Sequence, residues 1–156
     1  MDFKRRGSKN EKRNFRKQEK TKNERGQVIM YCLDTNIIID IFRGDEKVIS
    51  KIEDIWGKSI FITSITACEL YKGAYGHKNS EDKIKIVNEF IKNVEIVSED
   101  QMSCKEFGRI WQNLRKKGSQ IGDFDILIGS IVKTNNLIFV TKDKHFKKID
   151  MEVLII

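Results

Sequence analysis

The chain has 156 residues, 39% of them apolar and 34% charged, with thirty Lys/Arg, twenty-three Asp/Glu and no proline. That length suits one domain with a real core and excludes two ordinary ones; no run reaches the ~18 apolar residues of a membrane span, and no apolar stretch of a signal peptide opens the sequence. The formal charge of +7 points to nucleic acid until it is divided: residues 1–27 hold eleven basic and four acidic residues and the remainder nineteen of each, so the whole excess lies in the first segment.

In chain order, that segment has Met1, Phe3 and Phe15 as its only large apolar residues. It cannot bury enough surface to offset the entropy of ordering, so a basic, disordered tail over 1–27 is expected ahead of a domain over 28–156. An electrostatic arm for RNA or DNA is one reading of the tail; a solvated extension, with Met30 as an alternative start, is the other.

Val28–Leu33 is an apolar, β-forming run. Asp34-Thr35-Asn36 then offers helix-capping chemistry before Ile37-Ile38-Ile39-Asp40-Ile41-Phe42 and a stop at Gly44. Helical spacing over Glu46–Trp56 predicts a second helix ending at Gly57. Ser59–Thr63 reads as a strand, followed by a helix over Ile65–Ala74 with Ile65, Cys68, Leu70 and Tyr71 toward a core. After a polar loop, Glu81–Asn93 is a helix, Val94–Val97 a brief strand, and Ser98-Glu99 with Gln101 opens a helix carrying Met102, Phe107, Ile110, Trp111 and Leu114. Its basic end, Arg115-Lys116-Lys117, suits the helix dipole. Phe124–Val132 is an apolar helix, Leu137–Val140 a strand, Lys144–Ile149 a short helix and Val153–Ile156 a last strand. Strands alternating with helices predict an α/β fold with a mostly parallel sheet covered on both faces.

Three cysteines, Cys32, Cys68 and Cys104, show no paired spacing, which argues against a disulfide framework or a zinc site. Two lie in apolar runs and read as small core residues of a reducing cytoplasm.

Four acids, Asp34, Glu69, Asp125 and Asp143, each end or follow an apolar run. Singly they have ordinary readings: Asp34 as a helix N-cap, Glu69 as a surface residue or partner of Lys72, Asp125 as a first-turn acid, Asp143 as a turn residue. If they converge they form a hard, all-oxygen site suited to Mg²⁺ or Mn²⁺ and hence to phosphodiester hydrolysis.

Jointly, the motifs are more specific. Leu33-Asp34-Thr35-Asn36-Ile37, Thr63-Ser64-Ile65-Thr66-Ala67-Cys68-Glu69-Leu70, Ile121-Gly122-Asp123-Phe124-Asp125-Ile126-Leu127-Ile128-Gly129-Ser130 and Leu137-Ile138-Phe139-Val140-Thr141-Lys142-Asp143-Lys144-His145-Phe146 follow one another in order. From Met30 onward the chain resembles the PIN-domain ribonucleases, particularly the toxins of VapBC-type toxin–antitoxin pairs. Gly129 stands where an alanine is more usual, a change expected to be harmless between two small packing residues.

The resemblance implies a three-layer PIN-like fold, a Mg²⁺-dependent endoribonuclease (Mn²⁺ as substitute), and Asp34, Glu69, Asp125 and Asp143 as both catalytic residues and metal ligands, with Asp123 as an auxiliary candidate. Asp125 is preferred to Asp123 because it precedes Ile126-Leu127-Ile128-Gly129 in the family's register. Asn36 and Thr35 would orient Asp34 or contact phosphate, and Ser64 and Thr141 would add hydrogen bonds around the acids, with capping as the competing reading of each. RNA as substrate, a cognate antitoxin, a homodimer and a cytoplasmic location are also what the resemblance implies.

Other chemistries are weaker. His77 and His145 lack a partner at a metal-binding interval, no nucleophile elbow or phosphate-binding glycine loop is present, and Trp56 and Trp111 read as core or dimer residues. A haloacid-dehalogenase-type phosphatase would want Asp-x-Asp after the first strand, where the sequence has Asp34-Thr35-Asn36. A non-catalytic RNA-binding PIN-like module using the basic tail is the alternative from another class.

Overall fold

Alternating side chains on short strands decide this architecture. The computed structural model describes residues 26, 28–56 and 58–156. Of the expected tail only Gly26 is among them, and the expected helix stop Gly57 lies outside them. The strands are β1 (Met30–Leu33), β2 (Ser59–Thr63), β3 (Glu95–Val97), β4 (Ile138–Thr141) and β5 (Val153–Ile155); the helices are α1 (Thr35–Arg43), α2 (Glu46–Ile52), α3 (Ser64–Tyr75), α4 (Ser80–Ile91), α5 (Gln101–Lys116) and α6 (Asp123–Thr134).

The sheet runs β3-β2-β1-β4-β5 with every neighbouring pair parallel. Parallel strands need crossovers, and the crossover helices cover both faces. Tyr31, Leu33, Ile60, Ile62 and Val140 point to one face and pack with residues of α1–α4. Cys32, Phe61 and Phe139 point to the other and pack with α5 and α6. The result is the expected three-layer α/β arrangement.

Local chemistry sets the element ends. The Asp34 carboxylate caps α1, and Gly44 closes it in the left-handed conformation (φ 76°) that glycine adopts without a Cβ clash. Asp100 and Ser103 form a reciprocal capping box at the start of α5. Thr63 caps α3 through Thr66 N–H.

Several expectations are corrected. The helix expected over 46–56 stops at Ile52, because the amides of Ile55 and Trp56 both turn onto the Ile52 carbonyl, at 3.0 and 2.8 Å. Ile55 stays buried in a turn rather than in a helix. The segment after Asp143 is a 3₁₀ turn, Lys144–Lys148, anchored by Phe146 against Phe139 with ring centroids 4.6 Å apart. Cys68 is exposed, unlike buried Cys32, because the inward stripe of α3 runs through Thr66, Ala67, Leu70 and Ala74. Met102 and Trp111 also face outward, and the Arg115 guanidinium lies 5.0 Å from the Trp111 ring.

At Gly129 a Cβ would meet Ile149 Cδ1 at 2.6 Å, so an alanine there would require the end of that side chain to shift. Among the described residues, no helix is long and apolar enough to cross a membrane.

Candidate active site

From β1 the chain steps outward to β2 and β3, then returns across β1 to β4 and β5. In open parallel sheets that reversal leaves a crevice at the strand C-termini. Asp34 follows β1 and Asp143 follows β4, while Glu69 stands on α3 and Asp125 in the first turn of α6. The Asp34 amide donates to the Val140 carbonyl at 2.9 Å, which ties the ends of β1 and β4 together.

Asp34 is buried to 6% exposure but well supplied with donors. Its Oδ1 accepts from Thr35 N–H at 2.7 Å, and its Oδ2 accepts from Asn36 Nδ2 at 2.6 Å and from the Thr141 hydroxyl at 2.5 Å. Burial pushes its carboxyl up to about 6, with repulsion from Glu69 and Asp125 adding to the rise and the Thr141 and Thr35 hydrogen bonds opposing it. Burial likewise raises Asp125, helped by the charges of Asp143 and Glu69 and offset by His145. Each of the four acids therefore feels at least one of the others across the crevice.

Asn36 joins two of the acid-bearing segments. Its Nδ2 donates to Asp34 and, at 3.2 Å, to Thr141 Oγ1, while its Oδ1 accepts from Lys142 N–H at 3.3 Å. Thr141 Oγ1 in turn accepts from Asp143 N–H at 2.9 Å. Asp143 Oδ1 accepts from His145 N–H at 2.8 Å, and His145 Nδ1 lies 3.1 Å from the same oxygen.

The roles of the neighbours differ from the sequence expectation in two places. The Thr35 hydroxyl donates to Glu69 rather than to Asp34, which it reaches only through its amide. Ser64 donates to Glu99 at 3.0 Å rather than to one of the four acids. Glu99, two residues beyond β3 on the same sheet edge, was read in the sequence only as part of a helix start. An ion pair between Lys142 and buried Asp40 further ties the turn after β4 to α1, a pairing the sequence reading did not anticipate. Only the strand–turn–helix order could have hinted that these segments meet.

Asp125 and Asp123 part company. Asp125 is half-buried, and its Oδ2 folds back toward Gly122, 3.3 Å from where a Cβ would stand. Asp123 is exposed, and positions two apart on a helix lie about 200° apart around its axis.

Among the described residues, no three His, Cys, Asp or Glu side chains already close on one point at metal-ligand distance. The donor set nevertheless suits a hard dication: four carboxylates, the most buried of them raised by its burial and, to a lesser degree, by the charges of Glu69 and Asp125. Three of the acids are held in place by neighbours, Asp34 by three donors, Glu69 by the Thr35 hydroxyl and Asp143 by the His145 amide.

The PIN domain profile matches residues 31–152. "Ribonuclease VapC1" of Haemophilus influenzae is 30% identical over 124 residues, covering 78% of this chain and 92% of that protein. The "tRNA(fMet)-specific endonuclease VapC" of Shigella flexneri is 24% identical over 123 residues, 78% of this chain and 93% of its own. Among solved structures, VapBC2 from Rickettsia felis bound to a promoter DNA fragment superposes with a TM-score of 0.75 at 27% identity, covering 82% of this chain and 99% of that one. The sheet order, the acids at its carboxyl edge and a profile match spanning nearly the whole described chain agree, and the chain belongs to the PIN domain family.

Proposed function

We propose that this chain is a divalent-metal-dependent endoribonuclease that hydrolyses RNA phosphodiester bonds, the toxin of a VapBC-type toxin–antitoxin pair. The observation that carries this reading is the hydrogen-bonded frame at the carboxyl edge of the sheet, in which Thr35 links Asp34 to Glu69 and Thr141 links Asp34 to the Asp143 amide, with Asp125 in the first turn of α6. Relatives named as ribonucleases and a superposable toxin–antitoxin complex support it. The alternative of a non-catalytic RNA-binding module is not favoured, since all four acids are present.

The residues that would hold Mg²⁺, or Mn²⁺ in its place, are Asp34, Glu69, Asp125 and Asp143, with Asp123 as an auxiliary. Such a cation would supply Lewis-acid activation of the attacking water and neutralise charge on the phosphate. The chain's own contribution is positioning. Asp34 would be the most firmly held ligand, tied by three donors. Glu69 and Asp143 would each rest on one: the Thr35 hydroxyl for the first and the His145 amide for the second. Asn36 keeps the Asp34 and Asp143 segments in register. No protein nucleophile is needed, because water attacks and the cleaved ester leaves as a hydroxyl. A cognate antitoxin, a homodimer and a cytoplasmic location belong to the same proposal.

Asp34→Asn or Asp125→Asn should abolish Mg²⁺-dependent RNA cleavage with an unchanged circular dichroism spectrum. Full activity in either purified variant would overturn the assignment.

A further inference from the structure

Phe124 has no structural reason to be aromatic. It is 70% exposed, while its neighbours along α6, Ile126, Ile128 and Ile131, are all buried. It occupies the second position of the helix, between exposed Asp123 and half-buried Asp125. An isolated exposed phenylalanine adds nothing to a core, and the side chain of Asp125, one residue on, belongs to the acidic crevice.

We infer that Phe124 is a stacking platform for one base of a single-stranded RNA, a base next to the phosphodiester to be cleaved. This rests on the nuclease reading above. The inference follows from what surrounds the ring. Asp123 and Asp125 repel a phosphate on either side of it, whereas a base is neutral and offers a π-face of matching size. Cations for the backbone come from another segment: Lys144 and His145, directly after Asp143, are exposed, while Lys142 is taken up by Asp40. A strand whose phosphates meet those cations leaves its bases free to stack, and Phe124 is an exposed ring directly beside Asp125. Stacking discriminates poorly among bases but strongly between unpaired and paired strands, since a duplex hides its faces. Phe124 thus selects for unpaired RNA.

The test uses the full chain. Cleavage of a single-stranded RNA by the unmodified protein in Mg²⁺ checks the nuclease reading alone. Binding is then read by fluorescence anisotropy of a labelled single strand, in an Asp34→Asn background so that the probe survives, for Phe124, Phe124→Leu, Phe124→Ala and Phe124→Trp. Loss of about tenfold in affinity is expected for Phe124→Ala, the scale of one base stack. Phe124→Leu should lose nearly as much and Phe124→Trp should keep or gain affinity, while binding of a blunt RNA duplex stays level across the series. Single-strand affinity unchanged in Phe124→Ala would overturn the inference. So would a change confined to oligomeric state or to antitoxin binding, which would make the ring a protein contact instead.

Discussion

At the scale of single residues, the crevice depends on two atoms that the chain lacks or hides. Gly122 has an ordinary φ of −61°, so its backbone would tolerate a side chain, yet a Cβ would stand 3.3 Å from Asp125 Oδ2. Gly122→Ala should therefore leave the melting temperature unchanged while weakening Mn²⁺ binding, read by calorimetric titration. In the same titration Asp125→Asn should cost more affinity than Asp123→Asn; the reverse order would make Asp123 the main third ligand. Asp34 carries a pH signature. Its carboxyl is raised from 3.8 to about 6, so the folded chain binds a proton more tightly than the unfolded chain. The metal-free protein should lose stability as pH rises from about 4 to about 6, by roughly 3 kcal/mol from this group, and Asp125 acts in the same direction. Thermal melts in EDTA should show this decline in the unmodified protein and a flatter one in Asp34→Asn. Adding Mn²⁺ at pH 7 should restore the lost stability only where Asp34 is present.

At the scale of elements, most of the fold was legible because apolar periodicity and capping residues state it directly. Asp34, Gly44 and Ser59–Thr63 fall where the sequence puts them, whereas α5 is capped by Asp100 and Ser103 rather than opened at Ser98-Glu99. What periodicity leaves open has one cause: Ile55, Cys68, Met102 and Trp111 are apolar residues whose direction depends on a turn or on which side of a helix meets the sheet. Periodicity allows them inward; tertiary packing turns Cys68, Met102 and Trp111 outward and keeps Ile55 inside only through a turn. The pairing of Gly129 on α6 with Ile149 was equally invisible, since nothing local links the two. It makes a sharp prediction. Gly129→Ala gains about 1 kcal/mol of helix propensity but adds an overpacking cost of about 1–3 kcal/mol. Combining it with Ile149→Val, which removes the clashing Cδ1, should give a protein more stable than the sum of the single changes, with a coupling of about 1 kcal/mol in urea melts. Additive single and double changes would show that Ile149 simply moves aside.

At the scale of the whole molecule, the four acids could be read from sequence because each sits in a recognisable motif. Part of their support could be read as well, since Asn36 and Thr141 do hydrogen-bond Asp34; the pairings of Thr35 with Glu69, Ser64 with Glu99 and Asp40 with Lys142 could not, because the sheet order alone makes those residues neighbours. Charge is also a whole-molecule property. The domain over 28–156 is formally neutral and the +7 belongs to residues 1–27, which we propose act as an electrostatic arm. Removing them should leave cleavage intact and flatten the dependence of RNA affinity on salt, because fewer counterions are released; an unchanged slope would make the segment a bystander.

The hydrogen bond from Thr141 to Asp34 joins residues 107 apart in sequence. Closing so long a loop carries an entropic cost before any contact repays it, and parallel pairings of this separation form slowly. The β1–β4 seam is consequently a late event in folding, and the site does not exist until it closes. Cleavage activity thus reports the closure of that loop: a chain that has formed α3, α4 and the β1–β2 pair has secondary structure in abundance and no nuclease.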